Sequence, residues 1–238
     1  MIDVHSHILP GIDDGSKNVE MSLKMLEAIS EQDIGTVFLT PHFYADIDDP
    51  DSFLQRRRDA FKSLVAGITE AGIACPRLLT GAEVHYYRGI GRSEHITKFC
   101  MGNSGFILIE PMFREWNPAF VDEIREVGYN GDLKVIIAHI ERYLDQDRSL
   151  IRELLNEPNI FIQSNAEFFI DRRTRRKALK MYEEGLIDLL GSDSHNITSR
   201  PPNLEEAVTI ITDKFGASAL DRIEENNDML LSEAMRGM

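Results

Sequence analysis

Short runs rich in Val, Ile, Leu and Phe recur along the chain, and amphipathic stretches separate them. Such runs stand at residues 2–5, 36–40, 78–83, 106–110, 134–139, 160–165 and 187–192. Their near-continuous apolar character is that of strands buried on both faces of a parallel sheet. Between them, Val19, Leu23, Leu26 and Ile29 repeat at helical spacing. Ser52 with Gln55 reads as a capping box opening a helix over residues 52–72, and Pro118 opens another to residue 128. Leu179, Tyr182 and Leu186 mark a crossover after the sixth strand, and Ala207, Ile210, Ile211 and Phe215 mark a C-terminal helix. The stretch between Glu83 and Phe106 is less periodic. Strand–helix alternation dictates parallel strands with right-handed crossovers. Seven strands either close as a barrel or stay open as a doubly wound sheet, and the pattern alone leaves both. With no repeat, low-complexity segment or linker, residues 1–238 read as a single domain.

Charge narrows the partners. The formal net charge is −14, so nucleic acid and anionic lipid are not expected to bind. A phosphate substrate remains open, because bound cations reverse the local field. No positive-then-apolar leader opens the chain and no apolar run reaches the ~18 residues of a membrane span, so a cytoplasmic, non-membrane protein is expected. Cys75 and Cys100 form neither a CxxC pair nor a disulfide framework. Six residues beyond them stand Gly81 and Phe106. The Cys-x5-Arg loop of thiolate phosphatases is therefore absent.

The chemistry sits at the strand ends. His5 and His7 end the first run, His42 follows the second, Glu83 ends the third, Glu110 the fourth and His139 the fifth. Asp193 and His195 follow the seventh, and Asp14 lies in the first loop. In a parallel β/α fold the C-terminal strand ends share one face, where active sites are built. Five of the chain's seven histidines belong to this set, all but His85 and His95. On an extended strand, residues two apart point the same way, so His5-x-His7 and Asp193-x-His195 each offer two ligands to one side. Mixed imidazole and carboxylate ligands suit Mn, Fe or Zn better than Ca or Mg. Nine ligands exceed the coordination of one ion, so two or three divalent ions are expected. Arg142, three residues past His139, and Arg200, five past His195, are placed to fork onto phosphate.

His5-Ser6-His7, Asp13-Asp14-Gly15, Thr40-Pro41-His42 and Gly81-Ala82-Glu83 resemble the polymerase-and-histidinol-phosphatase (PHP) superfamily. Ile137-Ala138-His139-Ile140-Glu141-Arg142-Tyr143 and Gly191-Ser192-Asp193-Ser194-His195-Asn196 fit the same pattern. The segment from Ala138 to Tyr143, and Ser192 to Asn196 with Arg200-Pro201-Pro202, resemble one branch. That branch is the bacterial manganese-dependent protein-tyrosine phosphatases of capsule and exopolysaccharide operons. The resemblance implies a distorted (β/α)7 TIM-like barrel and a trinuclear site, usually assigned manganese. It implies that His5, His7, Asp14, His42, Glu83, Glu110, His139, Asp193 and His195 are the ligands, with Arg142 and Arg200 on the phosphate. It also implies a phosphotyrosine protein substrate, namely a bacterial tyrosine kinase regulating polysaccharide export. The second loop departs from the pattern: Phe43-Tyr44-Ala45-Asp46 stands where a basic or polar residue is expected. Those rings either stack on a phosphotyrosine or pack the loop.

Other readings share the ligands. A histidinol-phosphate phosphatase of the same superfamily would have a closed pocket, where a protein substrate needs an open one. A proofreading exonuclease conflicts with the charge, and a non-catalytic module would be expected to have lost ligands. The run Arg172-Arg173-Thr174-Arg175-Arg176-Lys177 is either a solvated helix face or a contact for an acidic or phosphorylated partner segment. Arg56-Arg57-Arg58 reads as helix surface, Asp13 as a ligand support or turn residue, and Glu141 and Tyr143 as orienting the loop.

Overall fold

The apolar runs form strands and the amphipathic stretches form helices in the computed structural model, which describes residues 1–131 and 133–237. In chain order these are β1 (Ile2–Ser6), α1 (Val19–Ser30), β2 (Thr36–Leu39), β3 (His42–Phe43), α2 (Pro50–Ala71), β4 (Arg77–Thr80), β5 (Glu83–His85) and β6 (Phe106–Glu110). Then come α3 (Pro118–Gly131), β7 (Lys134–Ile137), α4 (Arg148–Leu155), β8 (Ile160–Asn165), α5 (Ala166–Ile170), α6 (Arg175–Glu183), β9 (Leu189–Gly191), α7 (Leu204–Phe215) and α8 (Asp221–Ala234).

Every strand pairing is parallel, in the orders β1-β2-β4 and β3-β5-β6-β7-β8-β9. The two groups are one curled sheet. β3 and β5 continue β2 and β4 after breaks at Thr40-Pro41 and Gly81-Ala82, so the third predicted strand is split and the second is followed, past its predicted end, by a further short strand. Pro41 has no N–H to give the ladder. Gly81 and Glu83 nonetheless donate across the break to the carbonyls of Leu39 and Pro41, at 2.9 and 3.0 Å. Arg57, expected as plain helix surface, also donates to the Gly81 carbonyl, at 2.6 Å. At the far edge the segment after β9 returns to β1: Asp193 N donates to His5 O at 2.8 Å and His7 N to Ser194 O at 2.9 Å.

Two apolar layers follow from strand periodicity. Phe38, Leu79, Phe106, Leu108, Ile136, Ala138 and Leu189 fill the concave interior with Ile2 and Val4. Their neighbours Val37, Leu39, Ile107, Ile109, Val135, Ile137 and Leu190 face the helices. Burying each such side chain contributes about 1.5–3 kcal/mol. The interior is sealed by α8, whose Leu230 and Ala234 join it. That helix was not expected, since the C-terminal pattern ends at Phe215. The expected Ser52 cap is also displaced: Asp49 caps α2, accepting from Ser52 N at 2.9 Å, and Pro50 occupies the first turn. Among the described residues no helix is long and apolar enough to cross a membrane.

Candidate metal centre

Continuing the inward phase by twos carries the interior layer into the site. Phe38 leads through Thr40 to His42, Leu79 through Gly81 to Glu83, Leu108 to Glu110, and Leu189 through Gly191 to Asp193. His139 breaks the phase, because Ala138 before it already faces inward. Its backbone is left-handed at φ 34°, which turns the imidazole to the same face, and Asp193 is left-handed at φ 52°. Such conformations cost about 1–3 kcal/mol each and persist where the surroundings enforce them. A register shift in β1 between Asp3 and Ser6 brings in His5 and His7. β1 and β9 lie so close that a Cβ on Gly191 would stand 2.6 Å from His5 Cβ.

Glu83 is the hub. Its Oε2 lies 3.2 Å from His5 Nε2, 3.2 Å from His7 Nε2 and 2.9 Å from His42 Nδ1, and its Oε1 lies 2.8 Å from His139 Nε2. Asp193 Oδ1 lies 3.6 Å from His5 Nε2 and 3.4 Å from His7 Nε2. Asp14 Oδ1 lies 3.5 Å from His42 Nε2 and 3.3 Å from His195 Nε2, while Glu110 Oε1 lies 3.5 Å from His139 Nε2. Three overlapping groups bring one donor atom per residue within 4.8 Å: His7, Asp14, His42 and His195; His5, His7 and Asp193; His42, Glu83 and Glu110. All nine predicted ligand positions thus converge, His139 joining through Glu83 and Glu110.

The donor set fits divalent cations. His5 Nε2 and His7 Nε2 face each other at 3.1 Å. His7 Nδ1 donates to Asp13 Oδ2 at 2.7 Å, His195 Nδ1 to the Asp193 carbonyl at 2.9 Å, and His5 Nδ1 to Gln163 Oε1 at 3.3 Å. Each bond places the proton on Nδ1 and leaves Nε2 to offer a lone pair inward. His42 Nδ1, Glu83 Oε2, His139 Nδ1 and His195 Nε2 are buried without a hydrogen-bond partner. His42 Nδ1 and Glu83 Oε2 are close, but their angles make no hydrogen bond. Burial pushes the Glu83 carboxyl up, yet the charges of His5 and His42 and the His139 hydrogen bond prevail and hold it well below the usual range. Glu110 behaves likewise: burial opposes ionisation, but His139 and His85 bring it to about 2. Burial, with His7 and Arg200 adding to it, drives His195 down to about 4. Glu83, Glu110 and His195 therefore stand deprotonated at neutral pH, whereas at His7, His42 and His139 burial lowers the pKa but neighbouring carboxylates prevail and raise it, to about 9 at His139, so these three give up a proton when a cation binds.

Arg142 and Arg200 meet on one atom. Arg142 Nη2 donates to Asp193 Oδ2 at 2.5 Å and Arg200 Nη2 forms an ion pair with the same oxygen at 2.6 Å, with side chains 34% and 38% exposed. A groove of about 350 Å³ opens beside them, with Phe168 and Asn165 in its wall. Two guanidinium forks converging on one anionic oxygen suit a phosphate group.

One family model, described as capsular polysaccharide synthesis, CpsB/CapC, matches residues 1–232. The chain belongs to the CpsB/CapC family. Among curated relatives of this family member, the tyrosine-protein phosphatase CpsB of Streptococcus agalactiae is 28% identical over 236 residues, 94% of each chain. The tyrosine-protein phosphatase YwqE of Bacillus subtilis is 28% identical over 97% of this chain and 91% of its own. A crystal structure from the pair YwqE of Bacillus subtilis and CpsB of Streptococcus pneumoniae, described as unique metal-dependent tyrosine phosphatases, is similar with a TM-score of 0.85 at 25% identity. It covers 98% of this CpsB/CapC chain and 95% of that one.

Several residues that organise the site were not among those singled out. Gln163 and Asn165 lie on β8, the counterpart of the one predicted strand that was given no ligand. Gln163 Oε1 accepts from His139 N at 2.7 Å as well as from His5, and Asn165 Nδ2 donates to Asp193 Oδ2 at 2.8 Å. Their spacing by two at a strand end is the signal that names them. Asp3, fully buried, ties β1 to β9 by accepting from Ser192 N at 2.9 Å and His5 N at 3.2 Å. His85, set aside at the sequence level, reaches Glu110 Oε2 at 3.0 Å. It has the same spacing from Glu83 as His7 has from His5. His95 stands apart in the turn before Ile96. Glu141 does orient its surroundings, accepting from Asn165 N at 3.0 Å and Ser164 Oγ at 3.1 Å. Phe43 is buried and stacks on Phe99 at 4.3 Å, which answers the packing question for that ring. Tyr44 is half-buried and lies 5.2 Å from the His42 ring and 5.4 Å from His85.

Proposed function

We propose that this chain is a metal-dependent protein-tyrosine phosphatase, a phosphoric monoester hydrolase of capsule and exopolysaccharide synthesis. The observation that carries the proposal is the meeting of four histidines on Glu83, beside two arginines on Asp193. The family, its phosphatase relatives and the shared fold support it. The ligands are His5, His7, Asp14, His42, Glu83, Glu110, His139, Asp193 and His195. They hold two or three divalent ions, manganese in the first place, with iron or zinc as alternatives. The same proposal takes the curled sheet as a distorted seven-stranded barrel closed between β9 and β1, in one domain, working in the cytoplasm on a bacterial tyrosine kinase.

Bound divalent ions supply Lewis-acid charge to phosphoryl oxygens and lower the pKa of water. The chain supplies the rest. Arg142 and Arg200 leave Asp193 for the non-bridging oxygens of phosphate and so position it in the groove. Gln163, Asn165 and Asp13 hold the ligand side chains in fixed orientation, so little reorganisation accompanies the reaction. A phenolate leaves readily, which relaxes the need for a strong general acid. Phe113 is 62% exposed, and its ring lies 6.3 Å from His85 and 5.7 Å from Tyr143. With Tyr44, whose ring also neighbours His85 at 5.4 Å, it forms an aromatic rim suited to an aryl phosphate.

Openness separates this reading from a small-molecule phosphatase. Asp14, a proposed ligand, is 67% exposed, and the rim ring Phe113 faces solvent, a mouth that admits a side chain carried on a protein. Side-by-side kcat/KM values for a phosphotyrosine peptide and histidinol phosphate test the choice. Preference for the peptide is expected, and preference for histidinol phosphate would reverse it.

A further inference from the structure

On the flank of the molecule, α4 and α6 face each other across a groove of about 490 Å³. Its floor is apolar and partly exposed, from Leu144, Ile151, Leu155 and Leu186. Arg148 and Arg152 stand on its α4 side and Lys177 on its α6 side, where Lys180 pairs with Glu184 at 3.5 Å, so the groove keeps an excess of three positive charges. Among the described residues, none of these three cations has a carboxylate partner within 4.0 Å. One wall of the groove is Ile140, the first residue of the turn that presents Arg142 to the metal centre.

The basic run that drew attention in the sequence divides in two here. Arg175 is committed to the fold, since its guanidinium donates to the carbonyls of Phe169 and Ile170 at 2.8 and 2.7 Å and closes the end of α5. Arg173 pairs with Asp171 at 2.7 Å. Lys177, two residues beyond Arg175 along α6, is the member of the run that reaches the groove.

We propose that this groove docks an acidic segment bearing apolar side chains, near the phosphotyrosine of the protein substrate. The charge complementarity decides the occupant: unpaired cations around an apolar floor match carboxylates flanking a Leu or Phe. The site supplies selection among phosphoproteins that the metal centre, which reads only phosphate and ring, lacks. The inference rests on the phosphatase reading, and its test separates the two.

The manganese-loaded chain is assayed with p-nitrophenyl phosphate and two phosphotyrosine peptides, one with an acidic-apolar flank and one with a lysine-glycine flank. The variant is the triple Arg148→Glu, Arg152→Glu, Lys177→Glu. The expected result is a KM for the acidic peptide raised about tenfold, the size three partly exposed ion pairs supply together. The other two substrates should be unaffected. In the unmodified chain, the acidic peptide's KM should rise with salt more steeply than that of p-nitrophenyl phosphate. Equal kcat/KM for the two peptides, or equal losses on all substrates in the variant, overturns the proposal. Absence of turnover on every phosphoester would refute the phosphatase reading instead. The groove is then judged by fluorescence anisotropy with the unphosphorylated acidic peptide, where binding that the triple variant weakens upholds it and no binding overturns it. Binding of phosphatidylserine vesicles through the same three residues, with no peptide effect, would also overturn it.

Discussion

Gly191→Ala tests whether the close approach of β1 and β9 fixes His5. The added Cβ would stand 2.6 Å from His5 Cβ, 3.0 Å from Gln163 Nε2 and 3.2 Å from His5 N. Carbon atoms rest about 3.5–4.0 Å apart, so His5 and β9 must separate by about 1 Å. Neither can yield freely. Gly191 pairs with Asn165 on β8, and Asp193 N binds the His5 carbonyl at 2.8 Å. A shift of about 1 Å in a positioned group costs on the order of 10²-fold in rate, and overpacking costs about 1–3 kcal/mol of stability. Gly72→Ala is the control. Gly72 has φ 63° at the end of α2, and a Cβ added there would meet nothing within 4 Å. It should lose only the strain of a left-handed alanine, about 1–2 kcal/mol. The assay is kcat on p-nitrophenyl phosphate at saturating manganese, with metal content and a melting curve for both variants. The expectation is a kcat loss of about 10²-fold for Gly191→Ala and none for Gly72→Ala. Normal kcat and metal content in Gly191→Ala would refute the spacing argument. So would activity losses in the two variants that merely track their stabilities.

Asp13→Asn should weaken manganese affinity by about 10–100-fold, because Asp13 fixes the His7 tautomer; competition with a chelator measures it, and unchanged affinity would remove Asp13 from the site. Arg142→Lys should lower kcat/KM by about 10²–10³-fold with metal content intact, since lysine cannot fork onto phosphate; a near-normal value would discard the phosphate role. Phe113→Ala should raise KM for aryl phosphates about two- to tenfold while inhibition by inorganic phosphate stays constant; equal shifts in both would show that the ring does not read the aryl group. Leu230→Ala should cost about 2–5 kcal/mol in urea unfolding, because Leu230 is fully buried in the interior layer; a loss well below that would mean α8 does not seal the sheet.

The strands were legible because each runs through a layer that is apolar on both sides, and burial selects the same residues that mark β structure. What escaped was set by local backbone events. Pro41 interrupts one strand by lacking a donor, and the Gly81-Ala82 pair interrupts the next, although both segments stay apolar. The α2 cap moved from Ser52 to Asp49 because Pro50 suits the first helical turn and leaves the preceding aspartate as N-cap. The last helix was hidden by its composition. Asp221, Glu224, Glu225 and Asp228 outnumber its apolar residues on the exposed side, so Ile223, Leu230 and Ala234 read as scatter rather than as one buried face.

Strand-end position found every residue that converges on Glu83, but it gave the wrong reason for some of them. The period of two explains His42, Glu83, Glu110 and Asp193, which extend the inward layer of their strands. It would send His139 outward, since Ala138 is the inward residue of that pair. The chain instead accepts left-handed backbone at His139, where Gln163 Oε1 binds the amide N–H at 2.7 Å. Gln163 thus serves two histidines with one oxygen, holding His5 by its ring and His139 by its backbone. A glutamine carries no metal-binding signal in a sequence, and the strand bearing it was the one without a candidate ligand. Its position two residues before Asn165, which holds Asp193, shows that β8 shapes the site through hydrogen bonds rather than through ligands of its own. Strain at His139 and Asp193 is stable only while these amides stay in place, so β8 governs whether the strand-end residues face a common centre at all.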